Sequence, residues 1–402
     1  MLTRLGFALG RALPLRRRVV LATSHTPALT GNLAFIADEL GRRLPAIPVT
    51  TLTTRRGEGA LGRLAPIAAI VRSGFHLATA RVVVVDDYFF PMYVITPRPG
   101  TTRVQVWHAA GAFKKFGYSV ADRSFGVDEE FLGKVRIHSN YSLALVSSMS
   151  VAPHYAEAFG QPLEILTART GIPRTDVFGD PDLRAAAEAR ARAAFPQLSG
   201  KTVVLYAPTF RGEAVGRARY EGTLDLERMH EVLGDDHVVL LRLHPFVREG
   251  LVIPSALAGF TLDACGYPDV NELMLVSDIL VTDYSSVIYE FALLGRPILF
   301  LAPDEDAYDL ERGFYFDFRR DAPGPVFETT AELAAAIRGS SFDLDRVQAF
   351  ARSSFDVADG GATRRLVDQV ILPALDGTSV TAASLAATLP DAGADAGARP
   401  SA

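Results

Sequence analysis

Ser277-Asp278-Ile279-Leu280-Val281-Thr282-Asp283-Tyr284-Ser285-Ser286-Val287-Ile288-Tyr289-Glu290 reads as a strand that turns directly into a helix. Ile279–Thr282 is apolar up to its last residue, so both faces of that strand are covered, as in a parallel sheet packed between helices. Thr282-Asp283 closes the strand, and Ser285-Ser286 opens the helix predicted over Val287–Leu294. Serine hydroxyls and the unpaired N–H groups of a helix start form a site for an anion. The same serines serve as plain caps; a nucleotide diphosphate is the preferred reading. Glu290 falls about one turn into the helix. There a carboxylate either accepts ribose hydroxyls or simply complements the helix dipole.

The pattern repeats on both sides of this segment. Val19–Thr23, Val82–Val85, Arg103–Trp107, Tyr141–Val146 and Leu163–Ile165 are short β-rich runs, with helical stretches at Leu33–Arg43, Leu61–Val71 and Val151–Phe159 between them. A second series follows, with strands at Val203–Tyr206, Val238–Leu243, Ile279–Thr282 and Pro297–Leu301 and helices at Leu183–Phe195, Leu226–Leu233 and Val287–Leu294. Strands alternating with helices predict an α/β chain of two Rossmann-type domains. We place them at residues 1–175 and 176–372, split around Gly171–Pro181, where Gly, Pro and Asp concentrate. Strand ends at Asp86, His108, Pro208, His244 and Asp283 then lie at carboxyl edges, where open α/β sheets bind ligands. Two such edges facing across a cleft give a nucleotide-sugar-transferase-like architecture. Residues 373–402 hold no aromatic and are dominated by Ala, Thr, Ser, Asp, Gly and Pro, which predicts a disordered tail.

With 402 residues, 49% hydrophobic and 22% charged, the chain buries a sizeable core, which excludes a disordered protein or a small disulfide scaffold. Its one cysteine, Cys265, cannot form an internal disulfide and fits a reducing, cytoplasmic setting. The net charge of -5 offers no global basic field for nucleic acid. No run of 18 apolar residues suggests a membrane span. Residues 1–63 are the exception in charge, with ten arginines against Asp38, Glu39 and Glu58 and the densest cluster at Arg16-Arg17-Arg18. This stretch is either an amphipathic basic segment lying on an anionic membrane face or a solvated arm without a partner.

Three further segments carry residues suited to chemistry. In Gln105-Val106-Trp107-His108-Ala109-Ala110-Gly111-Ala112-Phe113-Lys114-Lys115-Phe116-Gly117 a strand ends on a histidine and runs into small residues, so backbone N–H groups can approach a ligand. Lys114 and Lys115 are two of only four lysines. A histidine there suits proton abstraction beside a phosphorylated substrate; a structural strand-end histidine is the alternative. Arg242-Leu243-His244-Pro245 ends another strand, and alternation places Arg242, a phosphate fork, on the same face as His244, a titratable imidazole. Gly171-Ile172-Pro173-Arg174-Thr175-Asp176 sets an arginine at the domain junction, and Ala207-Pro208-Thr209-Phe210-Arg211 closes a strand with a hydroxyl, an aromatic and a cation. No His/Cys/Asp cluster has metal-ligand spacing, and G-x-x-x-x-G-K-[ST] is absent, which disfavours a P-loop ATPase.

Together these stretches resemble the CDP-glycerol glycerophosphotransferase family of teichoic-acid synthesis. The resemblance rests on QVWHAAGAFKKFG (105–117), GIPRTD (171–176), LYAPTFR (205–211), LRLHP (241–245), NELMLVSDILVTDYSSVIYEFALLGRPILF (271–300), Tyr308 and ERGFYFDF (311–318). It implies a glycosyltransferase-B arrangement of two Rossmann domains, the donor held mainly by the second. It implies a CDP-glycerol or CDP-ribitol donor, transfer of the polyol phosphate to a hydroxyl of a lipid-linked acceptor, CMP release, no cofactor and no metal. Motif position implies donor contacts at His108, Ala109, Ala110, Gly111, Ala112, Arg174, Pro208, Thr209, Arg242, His244, Ser285, Ser286 and Glu290. His108 is the candidate base beside Lys114, and His244 the second catalytic candidate. Two departures leave the polyol, and priming versus polymerising, open. Ala109-Ala110-Gly111 stands where some members have Gly-Thr-Pro, and Glu290 where many have Asp. A nucleotide-sugar glycosyltransferase or epimerase of the same fold is the alternative enzyme, and an inactive nucleotide-binding scaffold the alternative class. A lipid-linked acceptor also implies work at the inner face of the cell membrane.

Overall fold

The computed structural model describes residues 1–24, 26–53, 65–121, 129–212, 220, 223–244, 247 and 253–387. In the first half, β1 (Arg16–Ala22), β2 (Val49–Leu52), β3 (Ala80–Val85), β4 (Thr102–Gln105), β5 (Leu143–Leu145) and β6 (Leu166–Thr167) form a parallel sheet in the order β2-β1-β3-β4-β5-β6. Val20 pairs with Val83, and Val83 with Arg103, so strand ends at residues 86–88 and 106–108 lie side by side. The helices α1 (Leu2–Arg11), α2 (Gly31–Arg43) and α3 (Ala65–Thr79) pack around this sheet. Leu33, Ile36 and Leu40 of α2 cover one face, over Val19, Leu21, Val82 and Val84. Phe7 of α1, Leu77 and Ala78 of α3 and the helix Ala152–Phe159 cover the other, over Val20, Val83 and Val85. Covering on both faces is why these strands are apolar at every position.

The second half repeats the plan. Here β7 (Thr202–Tyr206), β8 (His237–Leu241), β9 (Thr261–Asp263), β10 (Ile279–Thr282), β11 (Ile298–Leu301) and β12 (Val326–Phe327) form a parallel sheet in the order β12-β11-β10-β7-β8-β9. The order reverses between β7 and β10, so the loops leaving these neighbours diverge and open a crevice at their carboxyl ends. Those loops carry Thr209 and Ser285-Ser286.

Four expectations are corrected here. Residues 362–375 do not belong to the second half: the continuous helical run from Ala362 to Leu375 returns to the first sheet, where Leu366, Val367, Val370 and Ile371 pack with α2 against Val19 and Leu143. Nor is the stretch from 373 onward a disordered tail as far as Ala387. A further helix, Ala382–Ala387, seats Leu385 in the same core, with Val380 beside it. A few well-spaced apolar side chains suffice when a preformed sheet face awaits them; residues 388–402 lie outside the described residues. The N-terminus is a packed helix rather than an arm, and Arg16-Arg17-Arg18 open β1. A methyl on Gly6 would sit 1.9 Å from the Val71 carbonyl oxygen, and one on Gly74 2.0 Å from that of Thr3, so these glycines let α1 and α3 touch backbone to backbone. Leu163–Ile165, read as a strand, is a 3₁₀ turn leading into β6. Of the helix expected over Leu61–Val71, residues 61–64 lie outside the described residues.

Candidate active site

The two halves face each other across a cavity of about 470 Å³. The first sheet contributes Tyr88 after β3 and Trp107, His108, Ala109 and Gly111 after β4; the same loop continues to Lys114 and Lys115. The second contributes Thr209 after β7, His244 after β8 and Ser285-Ser286 after β10.

The turn that presents His108 is held at every carbonyl. Trp107 is buried with φ +50°, a left-handed conformation that an aromatic residue rarely adopts. The buried Asn32 amide donates to the carbonyls of Val106 (3.0 Å) and Trp107 (2.8 Å), and Arg174 Nη1 donates to that of His108 (2.7 Å). The backbone N–H of Arg174 donates to Asn32 Oδ1 at 2.9 Å, which ties the anchors together. The His108 ring stacks on Trp107, with centroids 4.2 Å apart. Its Nδ1 lies 3.0 Å from the Asp86 carbonyl oxygen and 3.9 Å from Asp87 Oδ1. A carbonyl only accepts, so Nδ1 carries the proton and Nε2 of the neutral ring is the lone-pair nitrogen, the form a general base needs. Beneath it the Asp86 carboxyl is pushed up to about 7, mainly by burial and further by the charge of Asp87, against a hydrogen bond from Thr23.

The opposite wall is braced by charge. Asp283 Oδ1 accepts from the Thr209 N–H at 2.8 Å and its Oδ2 from the Thr209 hydroxyl at 2.8 Å, which clamps the loop after β7 to the end of β10. Arg211 bridges Asp283 (2.9 Å) and Asp304 (2.7 Å), and so is spent inside this wall. Ser285 and Ser286 line the cavity, and the Ser286 side chain makes no capping bond to the helix Val287–Ala292 that follows. The His244 ring lies 4.8 Å from that of Phe210. Among the described residues no group of three His, Cys, Asp or Glu is placed to hold a metal ion.

Of the sequence-predicted residues, His108, Ala109, Gly111, Lys114, Thr209, His244, Ser285 and Ser286 meet at the cavity. The others do not line it. Glu290 is wholly buried and ion-paired with Arg174 across the junction; burial raises the Glu290 carboxyl while Arg174 opposes it. Arg242 turns away from His244 and donates to the carbonyls of Ala264 and Cys265. Ala110 is buried in the core of the second half and Ala112 in that of the first, so the small residues after His108 mainly let the halves approach each other. Gly111 shows this most sharply, because a methyl there would lie 2.1 Å from the Tyr289 ring. Pro208 is buried at the end of β7 and shapes that turn. Pro245 lies outside the described residues. Tyr88, Lys115, Phe116 and Arg312 line the cavity and were missed as site residues. Arg312 sits within ERGFYFDF, 5.5 Å over the Phe210 ring, and a lone cation among aromatics was the available signal.

The chain is 38% identical to the teichoic acid ribitol-phosphate primase of Bacillus spizizenii over 353 residues, covering 87% of this chain and 90% of the relative. It is 36% identical to the teichoic acid poly(ribitol-phosphate) polymerase of the same organism over 367 residues, covering 90% of this chain but only 58% of that longer relative. The solved structure of the wall teichoic acid polymerase TagF superposes with a TM-score of 0.76 at 23% identity, covering 93% of each chain, and so shares the fold. Residues 7–372 match the family described as CDP-glycerol:poly(glycerophosphate) glycerophosphotransferase, and the chain belongs to that family.

Proposed function

We propose that the protein transfers a polyol phosphate, glycerol or ribitol phosphate, from a CDP-activated donor to a hydroxyl of a lipid-linked teichoic-acid-type acceptor and releases CMP. The observation that carries this reading is one cavity lined by an anchored histidine from the first sheet and by a histidine and two serines from the second. His108 Nε2 takes the proton of the acceptor hydroxyl. The hydroxyl oxygen attacks the phosphorus that bears the polyol, a new O–P bond forms, and the bond to the CMP oxygen breaks. The diphosphate gathers negative charge as that bond breaks. Ser285, Ser286, His244, Lys114 and Arg312 border the same space and supply hydroxyl and cationic donors to it.

The lipid-linked acceptor also places the enzyme at the inner face of the cell membrane. No helix among the described residues is long and apolar enough to cross a membrane. The reading is tested by supplying CDP-glycerol and CDP-ribitol separately with a lipid-linked acceptor and measuring CMP. Acceptor-dependent CMP release from one of them is the result expected. Release of UDP from a UDP-sugar, with no CMP from either donor, would return the site to nucleotide-sugar chemistry.

A further inference from the structure

Two cations on the cavity wall come from different halves and are held beside each other by the backbone. Lys114 of the first half forms an antiparallel bridge with Phe314 of the second. The Lys115 N–H donates to the Gly313 carbonyl at 3.0 Å, and the Tyr315 N–H to that of Phe113 at 3.2 Å. Arg312 directly precedes this bridge, and both Lys114 and Arg312 line the cavity. Their charges share one aromatic ring. Tyr308 is 3% exposed and lies one turn before Arg312 on the helix Glu305–Arg312. Lys114 Nζ and Arg312 Cζ are each 5.9 Å from its ring centroid. The ring is itself fixed by stacking on Tyr284, with centroids 4.1 Å apart. Arg211 also lies over it, at 4.9 Å, but is neutralised by Asp283 and Asp304. Arg312 is held by the Gly212 carbonyl at 3.1 Å and by Glu311, a partly exposed carboxylate, at 3.0 Å.

We propose that Tyr308 is a positioning residue, whose ring sets Lys114 and Arg312 as one clamp on a diphosphate group, that of the donor. Two like charges on one wall repel each other until an anion arrives. A carboxylate between them would relieve the repulsion but compete with the phosphate, as Asp283 and Asp304 neutralise Arg211. The negative face of an aromatic ring attracts both cations without introducing a competing anion. The backbone bridge builds the clamp before the ligand arrives, so the halves need not close to bring the cations together. The inference rests on the donor reading proposed above. Its test uses inorganic pyrophosphate as well as the CDP-polyol, so the two fail separately.

The test is calorimetric titration of the full chain with inorganic pyrophosphate, beside donor kinetics read as CMP release. Lys114→Gln with Arg312→Gln should weaken pyrophosphate binding about tenfold or more. Tyr308→Phe, which keeps the ring, should bind within about twofold of wild type. Phenylalanines carrying one, two and three fluorine atoms at position 308 keep the shape but drain the ring face. Affinity should fall stepwise along that series, to about three- to tenfold below Tyr308→Phe. The melting temperature should stay level, a pattern that lost packing does not give. Donor KM should rise in step with the pyrophosphate Kd while kcat holds. With Lys114→Gln and Arg312→Gln in place, the fluorine series should be flat. A flat series in the otherwise unaltered chain overturns the proposal, and so does unchanged pyrophosphate affinity in the double lysine–arginine variant. Fluorine-dependent pyrophosphate binding without CMP release from either CDP-polyol would keep the clamp and withdraw the donor reading.

Discussion

Arg174 and Glu290 form a buried ion pair between the two halves, and the same guanidinium holds the carbonyl of His108. The residue that closes the junction therefore also sets the position of the proposed base. Removing one partner of a buried pair strands the other charge, at about 3–5 kcal/mol. Arg174→Ala should lower stability by that order and also lower kcat, because the His108 turn loses an anchor. Arg174→Met with Glu290→Met should recover most of the stability, since no charge is stranded, but not the rate. Denaturant unfolding and CMP-release kinetics on the single and double variants separate the effects; equal stability of the two would show that the pair is not buried.

His108→Ala should reduce CMP release by about 10²–10⁴-fold while leaving donor affinity within a few-fold, as loss of a general base requires. Calorimetric titration with the CDP-polyol beside a single-turnover assay makes the distinction. A variant that turns over at nearly the wild-type rate would remove His108 from the mechanism.

Ser285→Ala with Ser286→Ala should act on binding. Two hydroxyl donors to a charged diphosphate are worth about 1.5–3 kcal/mol each at most, so donor Kd should rise about tenfold or more. Saturating donor should restore most of the rate. Unchanged donor affinity would place the diphosphate elsewhere in the cavity.

Asp86 makes the first half sensitive to pH. Its folded carboxyl is pushed up to about 7, above its ordinary 3.8, so the folded state holds the proton more tightly than the unfolded chain. The stabilisation is full below the ordinary value and is lost as pH rises from there toward 7. Asp86→Asn keeps the carbonyl that orients His108 and removes the buried charge. Its Tm should exceed that of wild type at pH 8, and the gap should narrow as pH falls to 5 and close only below about 4. A gap independent of pH would mean that Asp86 does not titrate in this range.

The strands that carry the site were legible because they are buried on both faces and therefore continuously apolar: β1, β3, β7, β8, β10 and β11 were all located. The short polar strands Val49–Leu52 and Thr261–Asp263 were not, since edges need no apolar run. His108, His244 and the serine pair were found because strand ends in such sheets gather at one edge. Side-chain direction was less accessible. Alternation put Arg242 beside His244, but β8 stops at Leu241 and the rule holds only within a strand. Arg174 and Glu290 looked like ligand groups because their residue types suit ligands; that each was the other's partner needed the third dimension. Gly6 and Gly10 carry no side chain to signal packing, yet their four-residue spacing puts both on the face that meets α3.

The helical run Ala362–Leu375 has a consequence for the order of synthesis. It completes a sheet whose last strand ends at Thr167 nearly two hundred residues earlier. At ribosomal speed the first half waits about 10–40 s, with part of one apolar face bare, for the segment that covers it. A nascent chain stalled before residue 362 would leave that face uncovered, and only synthesis through Leu375 supplies the helices that seal it.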